Sequence, residues 1–152
     1  MKDFKKLIKK LKNLGEEIEF NGENSVENIA LVERELDIQL DEEIKAYLLE
    51  FGGGGISDIL YTNGILPEEP LSENIYTIFG ATKLARETYH LPKKFVVLDA
   101  DLQEKCWVLE CFNTEANSIY GYNYISQKIE NKIYNSFHEY LFTEWEEFID
   151  DN

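Results

Sequence analysis

Two cysteines, two histidines, three prolines and a single methionine in 152 residues leave this chain little material for a metal framework, a disulfide scaffold or a proline-rich linker. Cys106, Cys111, His90 and His138 lack the paired short spacings of a zinc site, so they predict buried, inert thiols and no cofactor. If 106–111 is one strand, the odd separation sends the two cysteines to opposite faces, which argues against a bond between them. No apolar run approaches the ~20 residues a membrane span needs. The N-terminal apolar residues are spaced, unlike the core of a secretion signal, so the expected location is cytoplasmic.

Positive charge is the scarcest commodity. Fifteen bases face thirty acids, for a net charge of −15. Six of the bases (Lys2, Lys5, Lys6, Lys9, Lys10, Lys12) crowd into residues 1–12 with one acid, Asp3. That leaves nine bases against twenty-nine acids, a charge of −20, on the other 140 residues. Such a body repels phosphate backbones and anionic lipid, which disfavours nucleic acid and membrane as partners. A cationic protein is the partner it would attract and steer. Solubility is the alternative use of the same charge.

What is present is core material: 43% apolar residues, with nine Tyr, nine Phe and two Trp, in a length suited to one domain, 1–152. Phe4, Leu7, Ile8, Leu11 and Leu14 recur at helical spacing, so 3–14 is expected to be a docked amphipathic helix with a lysine-coated outer face, stopped at Gly15. Ser25 caps a helix to about Asp37, and Asp41 caps a second one that buries Ile44, Tyr47, Leu48 and Phe51 before Gly52–Gly55 ends it. Ile56–Tyr61 and Ile75–Phe79 are expected strands, separated by a polar loop with Pro67 and Pro70. A short helix from Thr82 to about Tyr89 follows, then strands at Phe95–Leu98, Trp107–Phe112 and Ile119–Tyr124, and a closing helix over 135–149. Strands that neighbour one another in sequence pair antiparallel, so the expected class is α+β, a mainly antiparallel twisted sheet packed with helices.

The order of these pieces carries a resemblance. Glu27-Asn-Ile-Ala-Leu-Val-Glu-Arg-Glu-Leu36, then Leu40, then Glu43-Ile-Lys-Ala-Tyr-Leu-Leu-Glu-Phe-Gly-Gly53, resembles the opening signature of the SUKH superfamily. Leu91-Pro-Lys-Lys-Phe-Val-Val-Leu-Asp-Ala-Asp101 and Cys106-Trp-Val-Leu-Glu-Cys-Phe112 are similar to its central strands, and the helix with Phe137, Leu141 and Phe148 to its last element. The match spans about 25–150. Asp41 stands where the family usually has proline, and it starts a helix equally well. The resemblance implies function by association, without catalytic residues. Its members include yeast regulators of cell-wall synthesis and bacterial immunity proteins that block toxins, many of them basic nucleases. The expected function is therefore a protein-binding module, most simply an immunity protein neutralising a basic toxin in a stoichiometric complex. A housekeeping regulatory or scaffold module of the same fold is the alternative, and an enzyme a distant third.

Site candidates follow from charge and aromatic placement. The four glycines lack the Gly-Lys-Ser/Thr of a phosphate loop. Asp99 and Asp101 form a D-x-D pair with no third ligand, better suited to a polar turn than to a cation. The candidate partner-binding residues are the acids Glu68, Glu69, Glu73, Asp99, Asp101 and Glu104, and the row Tyr120, Tyr122 and Tyr124, which shares one face of a strand. That row is a binding patch if its face is open and core if helices cover it. Trp107 and Trp145 are expected in the core. The acids of the last helix, Glu144, Glu146, Glu147, Asp150 and Asp151, are expected to be mostly solvated.

Overall fold

A computed structural model describes residues 1–57, 59–99, 104–111 and 117–152. Helix α1 (Lys2–Asn13) buries Phe4, Leu7, Ile8 and Leu11 and turns its lysines outward. Leu14, the last member of the expected stripe, lies past the final turn and is 48% exposed. Phe4 has no exposed surface and meets the rings of Tyr47, Phe51 and Trp145 edge-on at 5.9, 5.3 and 4.6 Å. The first helix is thus part of the core, docked on the last.

Helices α2 (Val26–Leu36) and α3 (Glu42–Glu50) start at the two expected caps. Ser25 Oγ accepts from the Asn28 amide at 3.1 Å. Asp41 does more than cap. One carboxylate oxygen accepts from the Glu43 and Ile44 amides at 3.0 and 3.1 Å, and the other accepts from the Asn117 amide, 76 residues away, at 3.1 Å. The carboxyl is fully buried, and its removal from water raises its pKa above the ordinary value.

Strands β1 (Glu19–Phe20), β2 (Gly54–Ile56) and β3 (Leu60–Thr62) form a small antiparallel sheet in that order. The expected strand Ile56–Tyr61 is in fact a hairpin turning between Ile56 and Leu60. The glycines that end α3 also build this sheet. Gly52 sits at φ +76°, and a β-carbon there would stand 2.0 Å from the Gly22 carbonyl oxygen. Only glycine allows the two backbones to approach so closely.

The expected strand Ile75–Phe79 is corrected. Thr77 caps helix α4 (Ile78–Tyr89) by accepting the Gly80 amide at 2.9 Å, so the β-branched and aromatic run is split between a loop and a first helical turn. A local cap outweighs β-propensity that no neighbouring strand rewards.

Strands β4 (Phe95–Asp99), β5 (Lys105–Glu110), β6 (Ile119–Asn123) and β7 (Lys128–Tyr134) form an antiparallel meander. One face of this sheet (Phe95, Val97, Cys106, Val108, Tyr122) packs on Ala81 and Ala85 of α4. The other (Val96, Leu98, Leu109, Cys111, Ile119) packs on α1–α3 and on α5 (Phe137–Asp150). Cys106 and Cys111 lie on opposite faces as the spacing predicts, and neither is bonded. The outer edge of β4 is closed by β3, where the Asn63 amide N–H donates to the Leu98 carbonyl at 2.7 Å. The other edge, β7, bears Lys128 and Lys132 and two register shifts against β6, which discourage further pairing. The architecture is α+β.

Candidate functional site

The predicted acids divide between two places. Glu68, Glu69 and Glu73 are exposed on the loop between β3 and α4, and Glu73 pairs with Lys83 of α4. Asp99 closes β4 opposite Trp107, and exposed Glu104 leads into β5, its carbonyl accepting from the Tyr124 amide at 2.8 Å. Asp101 lies outside the described residues. The structure therefore brings Asp99 and Glu104 to Tyr124, and keeps the Glu68–Glu73 group on a separate loop.

The tyrosine row shares one face, and that face is the one under α4. Tyr122 has no exposed surface, and its hydroxyl donates to the Tyr89 carbonyl. Tyr120 stands edge-on to Phe95 at 5.8 Å and Tyr124 tilts against Tyr89 at 4.6 Å, both half-buried at the rim. Burial raises the pKa of Tyr122 and Tyr124 above that of a free phenol. Trp145 is buried, while Trp107 is half-buried with Lys105 Nζ 5.9 Å from its ring centre.

Beside the first acid group lies an open cavity of about 450 Å³ lined by Ser57, Tyr61, Leu66, Asn74, Tyr76 and Thr77. Its walls are held by asparagines that sequence reasoning passed over. Asn24 donates to the Ile65 carbonyl at 2.9 Å and Asn28 to the Pro67 carbonyl at 3.1 Å, so the start of α2 and the residues just before it tie down the loop after β3. Asn74 Oδ1 accepts the Tyr76 amide at 2.9 Å, and Tyr61 donates its hydroxyl to the Tyr76 carbonyl at 3.2 Å. The Asn-rich run 21–28 was the available signal, since buried asparagine commonly satisfies loop backbone.

A second concavity, about 430 Å³, lies over β5–β7 and is lined by Lys105, Gly121, Glu130, Asn131 and Ile133. There Lys105 and Glu130 pair at 3.4 Å, so its charge is internally balanced.

Nothing among these groups is set up as a nucleophile with its base. Burial pushes the Cys106 thiol up to about 11 and drives Cys111 higher still, so both remain protonated at neutral pH. Among the described residues, no group of three or more His, Cys, Asp or Glu is placed to hold a metal ion. Among the same residues, no helix is long and apolar enough to cross a membrane. What the surface offers is contact: tied loops, half-exposed tyrosines and carboxylates in excess.

Compared with known proteins, the family model described as SUKH_5, SMI1-KNR4 cell-wall, matches residues 4–146. No curated relative matches the sequence.

Proposed function

This chain belongs to the SUKH family, in its SMI1-KNR4 cell-wall branch, and on that premise we propose that it is an immunity protein that neutralises a basic toxin by binding it. The observation that carries the reading is the family match over nearly the whole chain. The charge of −20 outside the first helix supports it, since a toxin that grips phosphates is cationic and is drawn to such a surface. Inhibition is by occupancy: the complex covers the toxin's active surface, with no turnover and no cofactor. The candidate contacts are Glu68, Glu69 and Glu73 beside the tyrosine-lined cavity, Asp99 and Glu104 towards Tyr124 at one end of the large sheet, and Asp101 and Tyr120 as further candidates. Tyr122, sealed under α4, supports its neighbours from behind.

The test is co-expression with the toxin encoded beside the gene. Growth rescue together with a saturable complex of fixed stoichiometry is the expected result. A neighbouring toxin that neither binds nor loses potency overturns the reading. Association with that toxin is expected to slow as ionic strength rises to ~0.15 M, where the screening length falls to about 8 Å. Membership of the SMI1-KNR4 cell-wall family favours a second reading, a housekeeping regulatory or scaffold module of the same fold. That reading predicts no toxin gene alongside and capture of one constant protein.

A further inference from the structure

The register of the small sheet sets one row across three strands: Glu19 opposite Gly55, and Gly55 opposite Tyr61. Directly opposed residues project to the same face, and neighbouring strands stand about 4.8 Å apart. The next row, Phe20–Gly54–Thr62, points inward. Phe20 packs on Phe51 at 4.9 Å, and the Thr62 and Tyr140 hydroxyls are 3.0 Å apart. The Glu19 carboxylate and the Tyr61 ring therefore rise from the outer face on either side of a glycine, roughly 10 Å apart at their α-carbons, with no side chain between them. A β-carbon at Gly55 would stand 1.8 Å from the Leu60 carbonyl oxygen, so the close strand pairing itself keeps this gap open.

The two walls differ in chemistry. On one side Tyr76 stands edge-on to Tyr61 at 5.4 Å, and the Tyr61 hydroxyl is held by the Tyr76 carbonyl and by the Asn21 side chain. On the other, a cavity of about 460 Å³ carries Glu16, Glu17 and Glu19 around Ile56 and Ser57. None of these three glutamates has an ion-pair partner among the described residues. Ser57 borders both this cavity and the tyrosine-lined one, so the two meet at the hairpin tip, where Ile59 is 69% exposed.

We propose that this slot receives an arginine side chain from a basic protein partner, its guanidinium plane on the Tyr61 ring, which Tyr76 braces edge-on, and its N–H fork on Glu19. Arginine fits better than lysine, because a flat, weakly hydrated cation stacks on a ring while donating two parallel hydrogen bonds to a carboxylate. The partner is a protein, since anionic polymers and lipids meet only repulsion here. The inference rests on the reading of the chain as a protein-binding module and adds the contact that such a partner must supply.

Amide NMR titration of the intact protein with two capped nonapeptides, alternating arginine with glycine or lysine with glycine, tests the slot without any toxin. The expected result is saturable shifts at Glu19, Gly55, Ser57, Tyr61 and Tyr76. Affinity is expected to fall about five-fold in Glu19→Gln and in Tyr76→Ala, and about three-fold for the lysine peptide. Both variants alter outward side chains, and unchanged amide spectra elsewhere confirm that they fold. No saturable shift, shifts spread along Glu146, Glu147 and Asp150 of α5, or equal affinity for both peptides and both variants overturns the inference. Failed growth rescue with the slot still binding arginine sinks only the immunity reading. Toxin binding with a silent slot sinks only the inference.

Discussion

The two sheets use glycine for opposite ends. In the small sheet, Gly54 and Gly55 are strand residues at φ +124° and +150°, and side chains there would collide with neighbouring backbone. In the large sheet, Gly121 has an ordinary backbone, and an added β-carbon would meet only the end of Glu130 and the Trp107 ring at 3.3 and 3.4 Å. The large sheet is held by side chains packed on both faces, and its glycine is incidental. The small sheet is held by backbone brought close to backbone, and its outer face is left bare between Glu19 and Tyr61. Packing depends on residue type and tolerates adjustment, whereas close backbone contact admits one residue only.

Substitutions at the glycines break this comparison most sharply. Gly54→Ala is expected to cost about 3 kcal/mol or more in urea unfolding, because it combines a strained φ with a collision against the Glu19 carbonyl of the neighbouring strand. Asp41→Ala is expected to cost about 2–3 kcal/mol, more than an ordinary cap, because Asp41 also ties the start of α3 to the entry of β6 at Asn117. A pH series sharpens the point. Desolvation holds the Asp41 carboxyl above its ordinary 3.8, so the folded protein keeps this proton to higher pH than the unfolded chain does. The stabilisation from that proton is fully present below 3.8 and is lost as pH rises through the folded value. Asp41→Asn is expected to flatten the stability profile in that window, read from urea midpoints at successive pH values. The smallest effect is expected from Gly121→Ala, within about 1 kcal/mol of wild type by the same measurement. Equal losses at Gly54 and Gly121 would erase the distinction between the sheets.

The helical frame was legible because its signals are local. The stripe of α1, the Ser25 and Asp41 caps and the closing helix each need only neighbours in sequence, and each is present. Strands β4, β5 and β6 were legible for the same reason, since apolar runs between turns announce burial. Strand β7 was missed because its residues, Lys-Ile-Glu-Asn-Lys-Ile-Tyr, lie on an exposed edge and show no alternation between buried and open positions. Strand β1 is two residues long and exists only because β2 lies beside it. The acids Glu68, Glu69 and Glu73 could be named from composition, but the tyrosine wall next to them could not. Tyr61 and Tyr76 are fifteen residues apart and meet only because the Asn24 and Asn28 amides hold the intervening loop.

Sequence alone determined the charge, helices α1, α2, α3 and α5 with the Ser25 and Asp41 caps, the opposed cysteines and the family, because each is written in composition or in spacing of a few residues. Tertiary structure alone decided which tyrosines are sealed under α4, that Asp41 reaches Asn117, and that Glu19 shares a row with Tyr61. Those outcomes depend on strand register and on backbone approach across long stretches of chain, and a glycine that permits such an approach does not say what it will lie against.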